Sequence, residues 1–302
     1  MEPNPVLNKL GFSPRDRLVI IHLDDIGMCQ ASVAACAELF EFGLISSGAV
    51  MVPCPWFPAA AEFARAHPQA DLGVHMTLNS EWETYRWAPV STRDPASGLL
   101  DEQGFFHRQS APTQAQADPE TVTQELEAQI LHALAAGIVP THADTHMGTV
   151  AHPRFMASYL ALAIKYRVPP MMLRLDEDGW RRVLGEYAVT ALDDATIGLA
   201  GQMVRSLEEM GVPLLDGISS LQLDADPESR LAQAKAAFDA LGPGITHFII
   251  HAAVDTPELR AITPDWPCRV ADYRTFLLPE LRRHIRDSGV HVIGYRTLQS
   301  VM

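Results

Sequence analysis

Leu18-Val19-Ile20-Ile21-His22-Leu23-Asp24-Asp25-Ile26-Gly27 is the stretch whose reading decides the fold. Its apolar residues are consecutive rather than alternating, the pattern of a strand buried on both faces, as in a parallel sheet covered by helices. The run stops in two carboxylates and a glycine, and helical spacing follows at once. Val33, Cys36, Ala37 and Phe40 form an apolar stripe that Gly43 suits as a C-cap. The turn between strand and helix lacks the glycines of a pyrophosphate loop, so no dinucleotide site is expected there.

The same alternation continues down the chain. Strands are expected over 45–52 and 71–78, with a helix over 58–66 between them. Asp118-Pro119-Glu120 and Asp226-Pro227-Glu228 each read as a cap, a first-turn proline and a carboxylate favourable to the helix dipole. Further strands are expected at Met171 to Leu175, Pro213 to Ile218, Thr246 to His251 and Val290 to Tyr295, with a helix over 189–210. Seven or eight strand–helix units predict one (β/α) barrel over residues 1–302, closed or distorted; a doubly wound open sheet is the alternative. Residues 79–117 interrupt the rhythm. They carry Trp82, Tyr85, Trp87, Phe105 and Phe106 among Pro, Gly and charges, and are expected to form a functional excursion over a site.

Composition narrows the function. Among 302 residues, 47% are hydrophobic and 20% charged, which allows an ordinary globular core. The formal net charge of −14 argues against nucleic acid or an anionic membrane as partner. No window is apolar enough for a membrane span, and Met1 to Pro14 shows no secretory pattern. Cys29, Cys36, Cys54 and Cys268 have no metal or disulfide spacing and read as reduced thiols of a cytoplasmic protein.

Thr141-His142-Ala143-Asp144-Thr145-His146 sets His142, Asp144 and His146 at a spacing of two, hence on one face of a strand. In a parallel barrel, strand C-termini converge on one mouth. Asp24 and Asp25 end the first strand, His75 lies late in the third, and His251 ends the seventh. Imidazoles and carboxylates converging there fit a divalent-metal site. Adjacent side chains on an extended segment point opposite ways, so Asp24 and Asp25 should do different jobs. The other histidines, His22, His67, His107, His132, His152, His247 and His291, are read as packing or surface residues.

Asp24-Asp25-Ile26-Gly27, then Gly73-Val74-His75-Met76-Thr77-Leu78, then Pro140 to His146, in this order, resemble the YdjC-like carbohydrate deacetylases. That family takes in chitooligosaccharide deacetylases and relatives named for hopanoid biosynthesis. The resemblance extends to Ile250-His251-Ala252-Ala253 and Gly294-Tyr295-Arg296, with Ala252 where the family has proline and Met147-Gly148-Thr149 where it has further histidines. It implies a barrel metallohydrolase with one divalent ion, zinc or magnesium among the options, held by Asp25, His75 and His146. It also implies Asp24 as general base and His251 as general acid.

The expected reaction is removal of an acetyl or similar acyl group from a sugar-like small molecule by metal-activated water. Trp82, Tyr85 and Trp87 are expected to wall the substrate. Arg174 and Arg296, at strand ends, are candidates to orient Asp24, and His142 and Asp144 to line the site. Apolar residues of the excursion would suit a homodimer contact. Two other readings stay open: a non-catalytic sugar-binding or regulatory protein on this barrel, and a metal-dependent phosphoesterase. The absence of a legible second ligand set weighs against the phosphoesterase.

Overall fold

The computed structural model describes residues 2–186 and 194–302. The first strand, β1, spans Arg17–Ile26 and is buried from Leu18 onward. It is flanked by β2 (Ser47–Val50), β3 (Leu72–Met76), β4 (Ala143–Thr145), β5 (Gly217–Ser220) and β6 (Gly244–Ile250), in the order β4-β3-β2-β1-β6-β5. Every pairing is parallel. The short β7 (Val290–Val292) pairs with the first residues of β1. Parallel neighbours need crossovers, and helices such as Gln30–Phe42, Phe57–Ala66, Pro119–Ala135 and Arg230–Asp239 supply them.

The ladders form a six-strand half-barrel rather than the continuous ring of seven or eight suggested by the alternation. Among the described residues, only isolated parallel bridges lie between β4 and β5, Ala143 with Pro170 and Leu173 with Leu215. Pro169 and Pro170 have no N–H to give a ladder, which limits the strand expected at 171–175. The strand expected from Pro213 begins instead at Gly217. Asp194–Glu209 is helical as anticipated, and the anticipated start over 189–193 lies outside the described residues.

The two faces of β1 have different destinations. Val19, Ile21 and Leu23 join the large core beneath the helices. Leu18 and Ile20 point to the concave side, where they meet Leu215, Ile245, Tyr295 and Leu298. His22 and Asp24 continue that concave face toward the strand's C-terminal end. The inner lining therefore passes from apolar to ionisable along one strand. All four cysteines are buried and free. Among the described residues, no helix is long and apolar enough to cross a membrane.

The 79–117 excursion is ordered around buried Trp87, Leu99 and Phe106, and it ends in a helix at Ser110–Gln116 that the sequence reading lacks. One buried carboxylate ties it to the fold. Glu125 accepts from the Val90 and Ser91 N–H groups at 3.1 and 2.8 Å, and from the Ser91 hydroxyl at 2.5 Å. Removing an acceptor from buried donors costs about 1–3 kcal/mol. Glu125→Ala should therefore lower the Tm and expose 88–100 to limited proteolysis, with Glu125→Gln milder. Unchanged melting and protease resistance would count against this anchor.

Candidate metal centre

At the end of β1 the backbone leaves the extended region. Asp25 has φ of 61°, a left-handed conformation costing a non-glycine residue about 1–2 kcal/mol. The β1–β2 register shifts between Leu23 and Ile26, so the two adjacent carboxylates separate. Asp24 stays on the concave face, and Asp25 turns toward β3 and the segment after β4.

There Asp25 Oδ1 lies 3.5 Å from His75 Nε2 and 3.2 Å from His146 Nδ1. It is buried without a well-formed hydrogen bond. Donor atoms of the three residues lie within 4.8 Å of one another. Ligands about 2.0–2.2 Å from a common ion would sit at such separations, and one carboxylate with two imidazoles is a donor set that zinc and related ions accept. The residues fit a divalent metal.

Each of the three is held from behind. Arg269 donates from Nη1 to Asp25 Oδ2 at 2.7 Å, and its Nε is braced on Asp265 at 2.7 Å. His75 Nδ1 meets Asp144 Oδ1 at 2.9 Å, and His146 Nε2 meets Glu81 Oε2 at 3.0 Å. Such contacts fix ring orientation and leave the opposite nitrogen aimed at the centre. Burial alone would raise the Asp25 carboxyl, but the Arg269 guanidinium and the two imidazoles hold it well below the usual carboxylate range. Burial would lower His75, yet Asp144 and Asp24 outweigh it and hold the ring well above the ordinary imidazole value. For His146, Glu81 and Asp25 likewise overcome burial and raise it to about 9. The cluster's negative charge is thus balanced by protons that a divalent cation would displace.

Asp24 stands beside this group. Its Oδ1 is 2.7 Å from His22 Nδ1, while Oδ2 is 3.8 Å from both His75 Nε2 and His251 Nε2. Burial pushes its carboxyl up, but His75 and His22 together bring it well below the normal range. His251 follows β6, is one-fifth exposed, and donates its backbone N–H to Asp272 at 3.0 Å. Arg230 in turn donates to Asp272 at 2.6 Å, fixing the loop that presents the ring.

Several expected lining residues are elsewhere. Arg174 pairs with Glu208, contacts the Glu2 carbonyl and lies 4.0 Å from Asp216, which accepts from Ile245 N–H near the start of β6. Arg296 bonds Asp71, Pro68 and Ala70, ahead of β3. Both arginines are at the opposite end of the sheet from Asp24, because the segments bearing them pair with strand beginnings. The cation that does reach the aspartates, Arg269, comes from a helix far along the chain and has no motif to announce it; nor does Glu81, one carboxylate in a charged excursion. His142 and Asp144 turn inward, toward His22 and His75, and do not line an open surface. Trp87 is buried, and its indole N–H donates to Asn79 O at 2.6 Å. Trp82 and Tyr85 are half-buried by the centre; Tyr85 OH donates to Met28 O at 2.8 Å, and the Trp82 ring lies 5.7 Å from the Arg269 guanidinium carbon.

Fold and cluster define a parallel α/β protein with a candidate metal centre at its strand ends. The chain belongs to the YdjC-like protein family, which matches residues 18–287. It is 33% identical over 299 residues to the "Carbohydrate deacetylase" of Thermus thermophilus, covering 98% of this chain and 99% of that one. The protein of the same name from Brevibacillus brevis is 33% identical over 151 residues, half of this chain and 57% of the relative. A crystal structure from Enterococcus faecalis, described as a candidate cellobiose-phosphate cleavage protein, superposes with a TM-score of 0.72 at 22% identity, covering 94% and 99% of the two chains. That likeness speaks for the fold.

Replacing His75 or His146 by Ala should sharply reduce bound zinc, measured by elemental analysis after dialysis. Arg269→Met should weaken zinc affinity less, about 10–100-fold, as loss of an outer partner does. Full zinc occupancy in both histidine variants would exclude this cluster as the centre.

Proposed function

We propose that the chain is a metal-dependent hydrolase that removes an acetyl or similar acyl group from a sugar-like substrate. The observation that carries this reading is the pairing of Asp24 Oδ2 with His251 Nε2, 3.8 Å apart, beside the Asp25–His75–His146 cluster. A carboxylate and an imidazole presented together beside such a cluster can serve as the base and the acid that amide hydrolysis requires. The deacetylase relatives support the reaction class and the carbohydrate substrate.

Asp25, His75 and His146 would hold the ion; two imidazoles favour zinc over magnesium, which prefers oxygen donors. Such an ion supplies Lewis acidity toward a carbonyl oxygen and toward water. Asp24 Oδ2 takes the proton from the attacking water, its low pKa keeping the carboxylate ionised beforehand. His251 Nε2 gives a proton to the departing amine; Asp272 and Arg230 steady the backbone that carries it. Arg269 sits behind Asp25 and keeps its charge from being neutralised by a proton.

Asp24→Asn should retain zinc but lose about 10²–10⁴-fold in kcat for acetate release from an N-acetylated amino sugar, the scale of a general base. Equal loss of zinc in this variant would merge the two aspartates into one role, and wild-type turnover would remove Asp24 from the chemistry.

Trp82 and Tyr85 form the aromatic wall in this reading, with flat rings suited to the apolar face of a sugar. Trp82→Ala should raise KM with a small change in Tm. Trp87→Ala should instead lower stability, by about 3–5 kcal/mol for a buried aromatic, with kinetics per folded molecule retained. The reverse pattern would exchange their roles.

A further inference from the structure

A second group of buried donors, His22, Asp24, Asp144 and His247, also lies within 4.8 Å. It resembles another metal site, but both ring nitrogens of His22 are already engaged. Nδ1 meets Asp24 Oδ1 at 2.7 Å, and Nε2 meets His142 Nε2 at 2.8 Å. A ring with both nitrogens in hydrogen bonds has no lone pair for a cation. The group is part of a hydrogen-bonded chain, and that chain has a direction.

The direction follows from its far end. The Arg296 backbone N–H can only donate, and it does so to Asp71 Oδ2 at 2.7 Å. Thr141 Oγ1 is 2.5 Å from Asp71 Oδ1, so its single proton goes to that carboxylate. Its lone pairs then face His142 Nδ1 at 3.0 Å, which must carry a proton. Burial, with His22 and His247 nearby, holds His142 well below the usual imidazole range, so the ring is neutral and its Nε2 is bare. His22 Nε2 must therefore donate to it. The other His22 nitrogen faces the Asp24 carboxylate, and two acceptors at that distance would repel. Nδ1 must be protonated too. Asp144 Oδ2, 3.5 Å from His22 Nε2, adds a second negative neighbour.

The packing is fitted to this arrangement. Tyr295 stacks on His142 with centroids 4.0 Å apart and planes 12° apart, and its hydroxyl meets His247 Nδ1 at 2.9 Å. A Cβ on Gly73 would come within 2.4 Å of the His142 ring, so only glycine leaves room for it.

We propose that His22 is a positioning residue for Asp24: as a doubly protonated ring at the end of this chain, it pins Oδ1 and leaves Oδ2 alone facing His251. This rests on the reading of Asp24 as general base. It assigns to a histidine two positions before the aspartate the choice of which carboxylate oxygen works.

Two measurements on the full zinc-loaded chain test it. Nitrogen-15 NMR of histidine-labelled protein, with His22 assigned by its loss in His22→Asn, should show both His22 nitrogens protonated and His142 as the neutral Nδ1–H tautomer. A singly protonated His22 overturns the proposal. In kinetics with an N-acetylated amino sugar, His22→Ala should lose roughly tenfold or more in kcat, the scale of an orienting partner, with KM and zinc content unchanged. His22→Asn, whose amide N–H can replace Nδ1–H, should recover most of it. If His22→Ala fails to fold, kcat in His22→Asn near wild type together with the doubly protonated signal still supports the role. Wild-type kcat in His22→Ala, with Asp24→Asn inactive, removes the positioning role and spares the base. Full activity in Asp24→Asn defeats the base reading, and the proposal falls with it.

Discussion

The contact between Asp25 and Arg269 is the one on which the site depends. Asp25 combines a left-handed backbone, a buried carboxylate and an oxygen with no well-formed hydrogen bond. Each is unfavourable alone, and a buried unpaired carboxylate would ordinarily take up a proton. The guanidinium of Arg269 prevents that and connects the end of β1 to the Trp266–Phe276 helix. With the charge retained, His75 and His146 are drawn to the same oxygen, and their outer carboxylates, Asp144 and Glu81, follow. Arg269 is itself buried, so removing either partner strands a charge, which is why such pairs are costly to break even where their net contribution is modest.

The concave face of the sheet carries the second constraint. On β1, Leu18 and Ile20 give way to His22 and Asp24 within two pleats; on β6, Ile245 gives way to His247, and His251 follows the strand's end. An interior lined this way is stable only if its polar atoms find one another. Most do, through Asp71, Thr141, His142 and Tyr295. The network is connected through side chains whose strands are distant in sequence but adjacent in the sheet. Its rigidity comes from parallel register, which sets His75 opposite Asp144.

The sequence was most informative where local pattern and tertiary placement coincide. The buried run at Leu18 to Leu23 and the helix caps at Asp118 and Asp226 depend on near neighbours, and each is found in the structure. Of His142, Asp144 and His146, expected on one strand, only Asp144 lies within β4, and His146 opens the turn after it. Asp25, His75 and His146 could be named together because strand ends converge, though their assignment as ligands came from family resemblance. Arg269 and Glu81 were not legible, since a helix arginine and a loop glutamate look alike whether they face solvent or a buried carboxylate. Arg174 and Arg296 lie away from Asp24 for the complementary reason: a position near a strand in sequence does not say at which end of the sheet it sits. His22 and His247 read from the sequence as packing residues, and they are fully buried, but burial here comes with hydrogen-bonding duties that composition does not reveal.

The prolines after Arg167 and Val168 have a mechanical consequence. A sheet is as cohesive as the bonds across each neighbouring pair, and the line between β4 and β5 is crossed by isolated bridges where other lines have ladders. Thermal expansion and slow breathing should concentrate along that seam. Asp24, Asp25 and His75 belong to strands on the laddered arc and His251 directly follows one, so opening of the seam spares their mutual distances. His146 follows β4, at the arc's margin, and is the member of the Asp25–His75–His146 cluster that such motion would reach first.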